Sequence, residues 1–146
     1  MKTALYEELV HNFCQTTGFD TPESLLEAGE ILVDDIAVSL FFESEIAHDD
    51  LVLYSDIALR PHESDLYILQ RLLEANMLWS GTDGGTIGMH PETGRIGLAT
   101  RLSVAAPDGT WLVQALYRFS IIAKFWREFF ERESAVHAPL PHKYHA

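Results

Sequence analysis

A single cysteine, Cys14, stands in the chain, so no internal disulfide and no paired-thiol metal site can form. On a helix it reads as a small apolar residue. No apolar run approaches the roughly 18 residues that cross a membrane. Met1 to Ala4 lead to Glu7 and Glu8 instead of the apolar core of a signal peptide, so a cytosolic protein is expected. Basic residues are also scarce: ten Lys and Arg face 22 Asp and Glu in 146 residues, a net charge of −12. The deficit lies in residues 1–59, where thirteen acids face Lys2 alone; residues 60–146 carry nine of each sign. Such a balance excludes a nucleic-acid groove, which needs clustered Lys and Arg. It leaves a solvated acidic face, or a surface that attracts a basic or polar extended partner.

Catalytic arrangements are missing as well. There is no Ser/His/Asp set, no His-Glu-x-x-His and no dinucleotide fingerprint. The glycine-rich Ser80 to Gly85 lacks the Lys-Ser/Thr ending of a phosphate loop and follows a helix, so it reads as a helix stop and connector. His11, His48, His62 and His90 are scattered, and Asp34 with Asp35 reads as a turn with both carboxylates in water. His137, His142 and His145 match no compact ligand spacing; Ser134 to Ala146 is expected to be a disordered tail behind a single domain of residues 1–133. No metal and no cofactor is expected.

What the chain does have is clear periodicity. A helix is predicted from about Thr3, as N-cap, to Thr17, with Gly18 as its left-handed stop; Leu5, Leu9 and Phe13 share a face beside Tyr6, Val10 and Cys14. Gly18 to Gly29 reads as a linker in which Asp20-Thr21-Pro22-Glu23-Ser24 can start one helical turn. Glu30 to Val33 is a strand, Asp34-Asp35 a hairpin turn, and Ile36 to Phe42 alternates with Ile36, Val38, Leu40 and Phe42 on one face. After an acidic loop, Leu51 to Leu59 alternates again. The second face of this meander carries Phe41, Val52 and Tyr54, more apolar than a solvated face requires, so something is expected to cover it.

Arg60 to Ser64 breaks the strand, with Ser64 or Glu63 as cap of a central helix that runs to Leu78. That helix has two apolar stripes: Leu66, Leu69, Leu73 and Met77, and Ile68, Leu72 and Ala75 leading to Trp79. One face suffices to pack a helix on its own domain, and the second points to another copy of the chain. Strands at Thr86 to His90 and Arg95 to Ser103 flank Pro91-Glu92-Thr93-Gly94, with Gly97 and Ala99 small enough for a close neighbour. A last helix, Thr110 to Glu133, carries a core stripe of Leu112, Ala115, Leu116, Phe119, Ile122, Ala123, Trp126 and Phe130, with Phe125 and Phe129 at its margin. The order α-β-β-β-α-β-β-α is α+β: a twisted antiparallel sheet with the first and last helices on one face and the central helix at a homodimer interface.

The pattern Leu-Leu-Glu-Ala-Asn-Met-Leu-Trp at 72–79, followed by Gly81-Thr82-Asp83-Gly84-Gly85, Pro91-Glu92-Thr93-Gly94 and Ile96-Gly97-Leu98-Ala99-Thr100-Arg101-Leu102, resembles the class I chaperones of bacterial type III secretion, the Tir-chaperone (CesT-like) family. The likeness extends over about Leu5 to Phe130. It implies a bacterial cytoplasmic homodimer that binds the N-terminal segment of a secreted effector, keeps it extended and soluble, and delivers it to the secretion apparatus, whose ATPase is a further partner. No nucleic acid, membrane or cofactor belongs to that role.

Effector contacts are expected at Tyr6, Val10 and Phe13 of the first helix and at Phe41, Val52 and Tyr54 of the meander. The dimer interface is expected at Leu69, Leu72, Leu73, Ala75, Met77 and Trp79. Two other readings compete: a dimeric adaptor or regulatory domain for a folded protein, and a small enzyme with its pocket between sheet and last helix and His90 or Asp56 as base.

Overall fold

The first helix, α1 (Ala4–Thr17), stops at Gly18, whose φ of +66° is the left-handed turn that glycine adopts without a steric cost. The computed structural model describes residues 4–19, 21–44, 49–59 and 65–137, so the expected cap Thr3, the break at Arg60 to Ser64 and residues 138–146 of the tail lie outside the described residues. The expected linker contains a seven-residue helix, α2 (Pro22–Ala28), entered through Thr21, whose hydroxyl accepts the Ser24 N–H at 3.3 Å, and closed by Gly29 at φ 64°.

Strands β1 (Glu30–Val33) and β2 (Ile36–Ser44) form the expected hairpin. Asp34 and Asp35 both have positive φ, 47° and 69°, the mirror-image turn that matches strand twist. With β3 (Asp49–Ala58), β4 (Thr86–Met89) and β5 (Ile96–Ser103) they make one antiparallel sheet in the order β1-β2-β3-β5-β4. Alternation divides its faces. Val38, Leu40, Leu51, Leu53, Ile57, Ile96 and Leu98 are buried beneath helices, while Phe41, Val52, Tyr54 and Ala99 share the opposite face, which no described element covers.

The helical layer is α1 beside α4 (Gly109–His137), capped by the Asp108 carboxylate, which accepts N–H groups of Thr110 and Trp111 at 3.0 and 3.3 Å. The two helices meet closely at Gly109, where a Cβ would lie 2.5 Å from the Asn12 carbonyl oxygen. The predicted core stripe of α4 is buried except at Ala115 and Ile122, which are half-buried; Phe125 is exposed, but Phe129 is buried against Tyr67, with ring centres 6.3 Å apart, and so is not marginal.

Helix α3 (Leu66–Asn76) differs from expectation at both ends. Its cap is Asp65, whose buried carboxylate accepts the Ile68 N–H at 3.1 Å, and it ends at Asn76 instead of running to Leu78. Met77–Trp79 form a tight turn in which Leu78 and Trp79 take left-handed φ values of 53° and 57°. The chain then passes Gly81, where a Cβ would lie 2.8 Å from that of Ala75, and the Trp126 indole N–H donates to the Gly81 carbonyl at 2.9 Å, joining this bend to α4.

Candidate functional site

Two surfaces stand out because no described element covers the apolar groups on them. The first is the outer side of α3. Ile68, Leu72 and Ala75 face inward and are buried in the single subunit, so Leu72 and Ala75, both expected at the interface, pack within their own subunit. At 7% and 6% exposure they offer little surface to a second copy. The other stripe is outside: Leu66 and Leu73 are each 72% exposed, Met77 67%, Leu78 80% and Trp79 57%, with Leu69 half-buried. Leu66 and Leu78 extend the expected set, as does Met89 on β4, which is exposed.

The second surface is the open face of the sheet and the notch at its end. Phe41 pairs with Val52, and Val52 with Arg101; in the neighbouring row Glu30 pairs with Ser39, Ser39 with Tyr54, and Tyr54 with Ala99. The Tyr54 ring lies across Gly97, where a Cβ would fall 2.3 Å from the phenol oxygen, so the small residue read in the sequence accommodates a side chain and not another element. The Tyr54 hydroxyl donates to Asp56 at 2.7 Å, and Arg95 stands 3.6 Å from the same carboxylate. Burial, then the hydrogen bond and charge of Asp56, push the phenol up to about 12 against the opposing charge of Arg95. Arg101 reaches Glu43 at 2.9 Å and Asp50 at 3.3 Å, tying β5 to β2 and β3 across this face.

The notch arises because β1 is shorter than its neighbour. Pairing ends at Glu30 with Ser39, and the Leu40 N–H reaches the Gly29 carbonyl at 2.8 Å; beyond that point β2 runs on with no described strand on its outer side. Strand alternation then turns the Leu40 carbonyl and both main-chain groups of Phe42 toward the gap. The hollow there measures about 390 Å³ and is lined by Tyr6, Leu26, Glu27, Glu30, Phe41 and Phe42 among others. Tyr6 and Phe42 stack in its wall with ring centres 4.9 Å apart, and burial raises the Tyr6 phenol pKa.

The opposite edge is built differently. Asn76 donates its side-chain N–H to the Ile87 carbonyl and accepts the Ile87 N–H, both at 2.9 Å, so a side-chain amide fills the outward bonding positions of β4 at Ile87.

Of the residues expected at an effector groove, Tyr6 and Phe41 meet at the notch, and Val52 and Tyr54 lie beside Phe41 on the open face. Val10 and Phe13, 0% and 4% exposed, are core residues on α1, which lies beside α4; Tyr6 is as deeply buried, at 3%, but it alone of the three lines the hollow. Leu26, Phe42 and Asn76 were not singled out from sequence, because only the strand lengths and order give them a role. The expected pocket between sheet and last helix exists, about 270 Å³ between β5 and α4 with the Arg118–Asp83 pair of 2.8 Å on its lining, but neither His90 nor Asp56 lines it. His90 accepts turn N–H groups of Glu92 and Thr93, and Asp56 serves Tyr54. No cluster of metal-ligating side chains occurs among the described residues.

No curated protein matches the sequence. Among solved structures, a chain of the HopA1–SchA chaperone–effector complex has the same fold, with a TM-score of 0.62 at 18% identity over 85% of this chain and 94% of that one. The model of the Tir chaperone protein (CesT) family matches residues 8–127, which is most of the sequence and, Tyr6 apart, both surfaces described above, and the chain belongs to that family of secretion chaperones.

Proposed function

We propose that this protein is a type III secretion chaperone which, as a homodimer in the bacterial cytoplasm, binds the N-terminal segment of a secreted effector, holds it extended and hands it to the secretion apparatus and its ATPase. Family membership supports the chaperone role. The observation that carries the mode of binding is a sheet face that no described element covers, with a β2 edge that no described strand pairs. An extended segment adding there gains main-chain hydrogen bonds worth about 1 kcal/mol each. Its alternate side chains enter the notch beside Tyr6 and Phe42 or lie on Phe41 and Val52. Many such shallow contacts offset the ordering of a flexible chain without a deep cleft and without nucleotide hydrolysis.

The second copy joins through Leu66, Leu69, Leu73, Met77, Leu78 and Trp79. Co-expression with the N-terminal segments of secreted proteins encoded nearby tests the reading. A stable complex is expected in which the segment's amides exchange with solvent as an extended chain does, apart from those paired with β2. Failure of every such segment to bind, or a bound segment that folds as a globular domain, refutes it.

A further inference from the structure

We infer that the notch selects a strand that alternates apolar with basic residues, the apolar ones facing Tyr6 and Phe42 and the Lys or Arg side chains facing Glu30 and Glu27. The inference rests on the chaperone reading and names the chemistry of its cargo. Three observations carry it. First, the two edges of the sheet are unequal: Asn76 occupies the β4 edge at Ile87, whereas no described strand pairs with the outer side of β2 beyond Leu40, where its main-chain groups face an incoming strand. Second, strand alternation sends successive side chains of that guest to opposite sides, one toward the stacked Tyr6–Phe42 wall and the next toward the open face, where Glu30 sits.

Third, the surroundings carry charge of one sign. Residues 21–43 hold six acids (Glu23, Glu27, Glu30, Asp34, Asp35 and Glu43) and no Lys or Arg. Arg101 approaches Glu43, but none of the ion pairs among the described residues involves Glu27 or Glu30. An acidic guest is repelled there, and a basic one supplies the missing cations.

Two acetylated peptides test this against the whole protein: one alternating Val or Leu with Lys, the other identical with Gln for Lys. The Lys peptide is expected to bind about tenfold more tightly at low salt, the equivalent of two or three exposed ion pairs. Raising the salt should close the gap. In E27K/E30K, checked for an unchanged melting temperature, the preference should reverse or vanish; E27Q/E30Q serves if the charge reversal does not fold. Equal affinity for both peptides, a preference that survives E27Q/E30Q, or no binding of either peptide overturns the inference. A natural effector segment bound regardless of salt and of these variants would leave the chaperone reading standing while removing this one.

Discussion

Leu73→Asp is the sharpest test of the assembly. Leu73 is 72% exposed in the single subunit, so a carboxylate there costs the isolated fold little. Across a two-fold axis every contact occurs twice. Burying a leucine side chain contributes about 1.5–3 kcal/mol, so the variant forfeits about 3–6 kcal/mol of association before the burial of two carboxylates is added. The lower figure already weakens the dimer by roughly a hundredfold. Sedimentation velocity over a concentration series should therefore show a dimer for the parent and a folded monomer for the variant, with far-ultraviolet dichroism unchanged. Leu72→Asp is the contrast: Leu72 is 7% exposed, and the same chemistry one residue away should unfold the subunit instead. A dimer whose dissociation constant is unmoved by Leu73→Asp would refute the interface, as would a variant that dissociates only because it unfolds.

Three further outcomes follow from the geometry. Asn76→Ala strips both partners from the Ile87 main chain and should cost about 1–3 kcal/mol in chemical denaturation. The exchange of the Ile87 amide should rise, and Asn76→Asp, which accepts but does not donate, should fall between. Gly97→Ala should push the Tyr54 ring off the sheet: ultraviolet titration of the parent is expected to find the Tyr54 phenol ionising at about 12, and in the variant that phenol should return toward its ordinary 10. Because the folded-state value is the higher one, the stabilisation from Tyr54 is complete below pH 10 and is lost as pH rises through about 12, a loss that Gly97→Ala should erase. Asp35→Gly relieves a left-handed aspartate at φ 69° and should raise stability by about 1 kcal/mol in thermal unfolding, since Arg127 bonds the main-chain carbonyl of that residue and keeps its partner.

Much of this fold was legible because its signals are local. The alternation from Ile36 to Phe42 and from Leu51 to Ile57 placed the right residues under the helices, although Leu59, next on that face, is exposed beyond the end of β3, and the doubled stripe of α3 announced one inner and one outer face. Which stripe was which was not legible. Leu72 and Leu73 are equally apolar, and only packing against the rest of the subunit separates them. The same holds for α1, where Val10 and Phe13 looked available for a groove until α4 took the flank of the helix. Pairing decides the rest: a notch exists only because β1 stops at Glu30 while β2 continues, and Asn76 guards an edge whose position depends on β4 lying outermost. The left-handed pair at Leu78 and Trp79 contradicts the helical pattern through Trp79, since neither residue favours that conformation.

That pair has an implication for anyone who would stabilise the protein. Two consecutive left-handed residues with full side chains cost about 2–4 kcal/mol relative to glycine. A stability-guided redesign would therefore choose Gly at position 78 first. The redesign would succeed by its own measure and lose the leucine side chain that the bend holds out in water, and with it part of the surface proposed to meet a second copy.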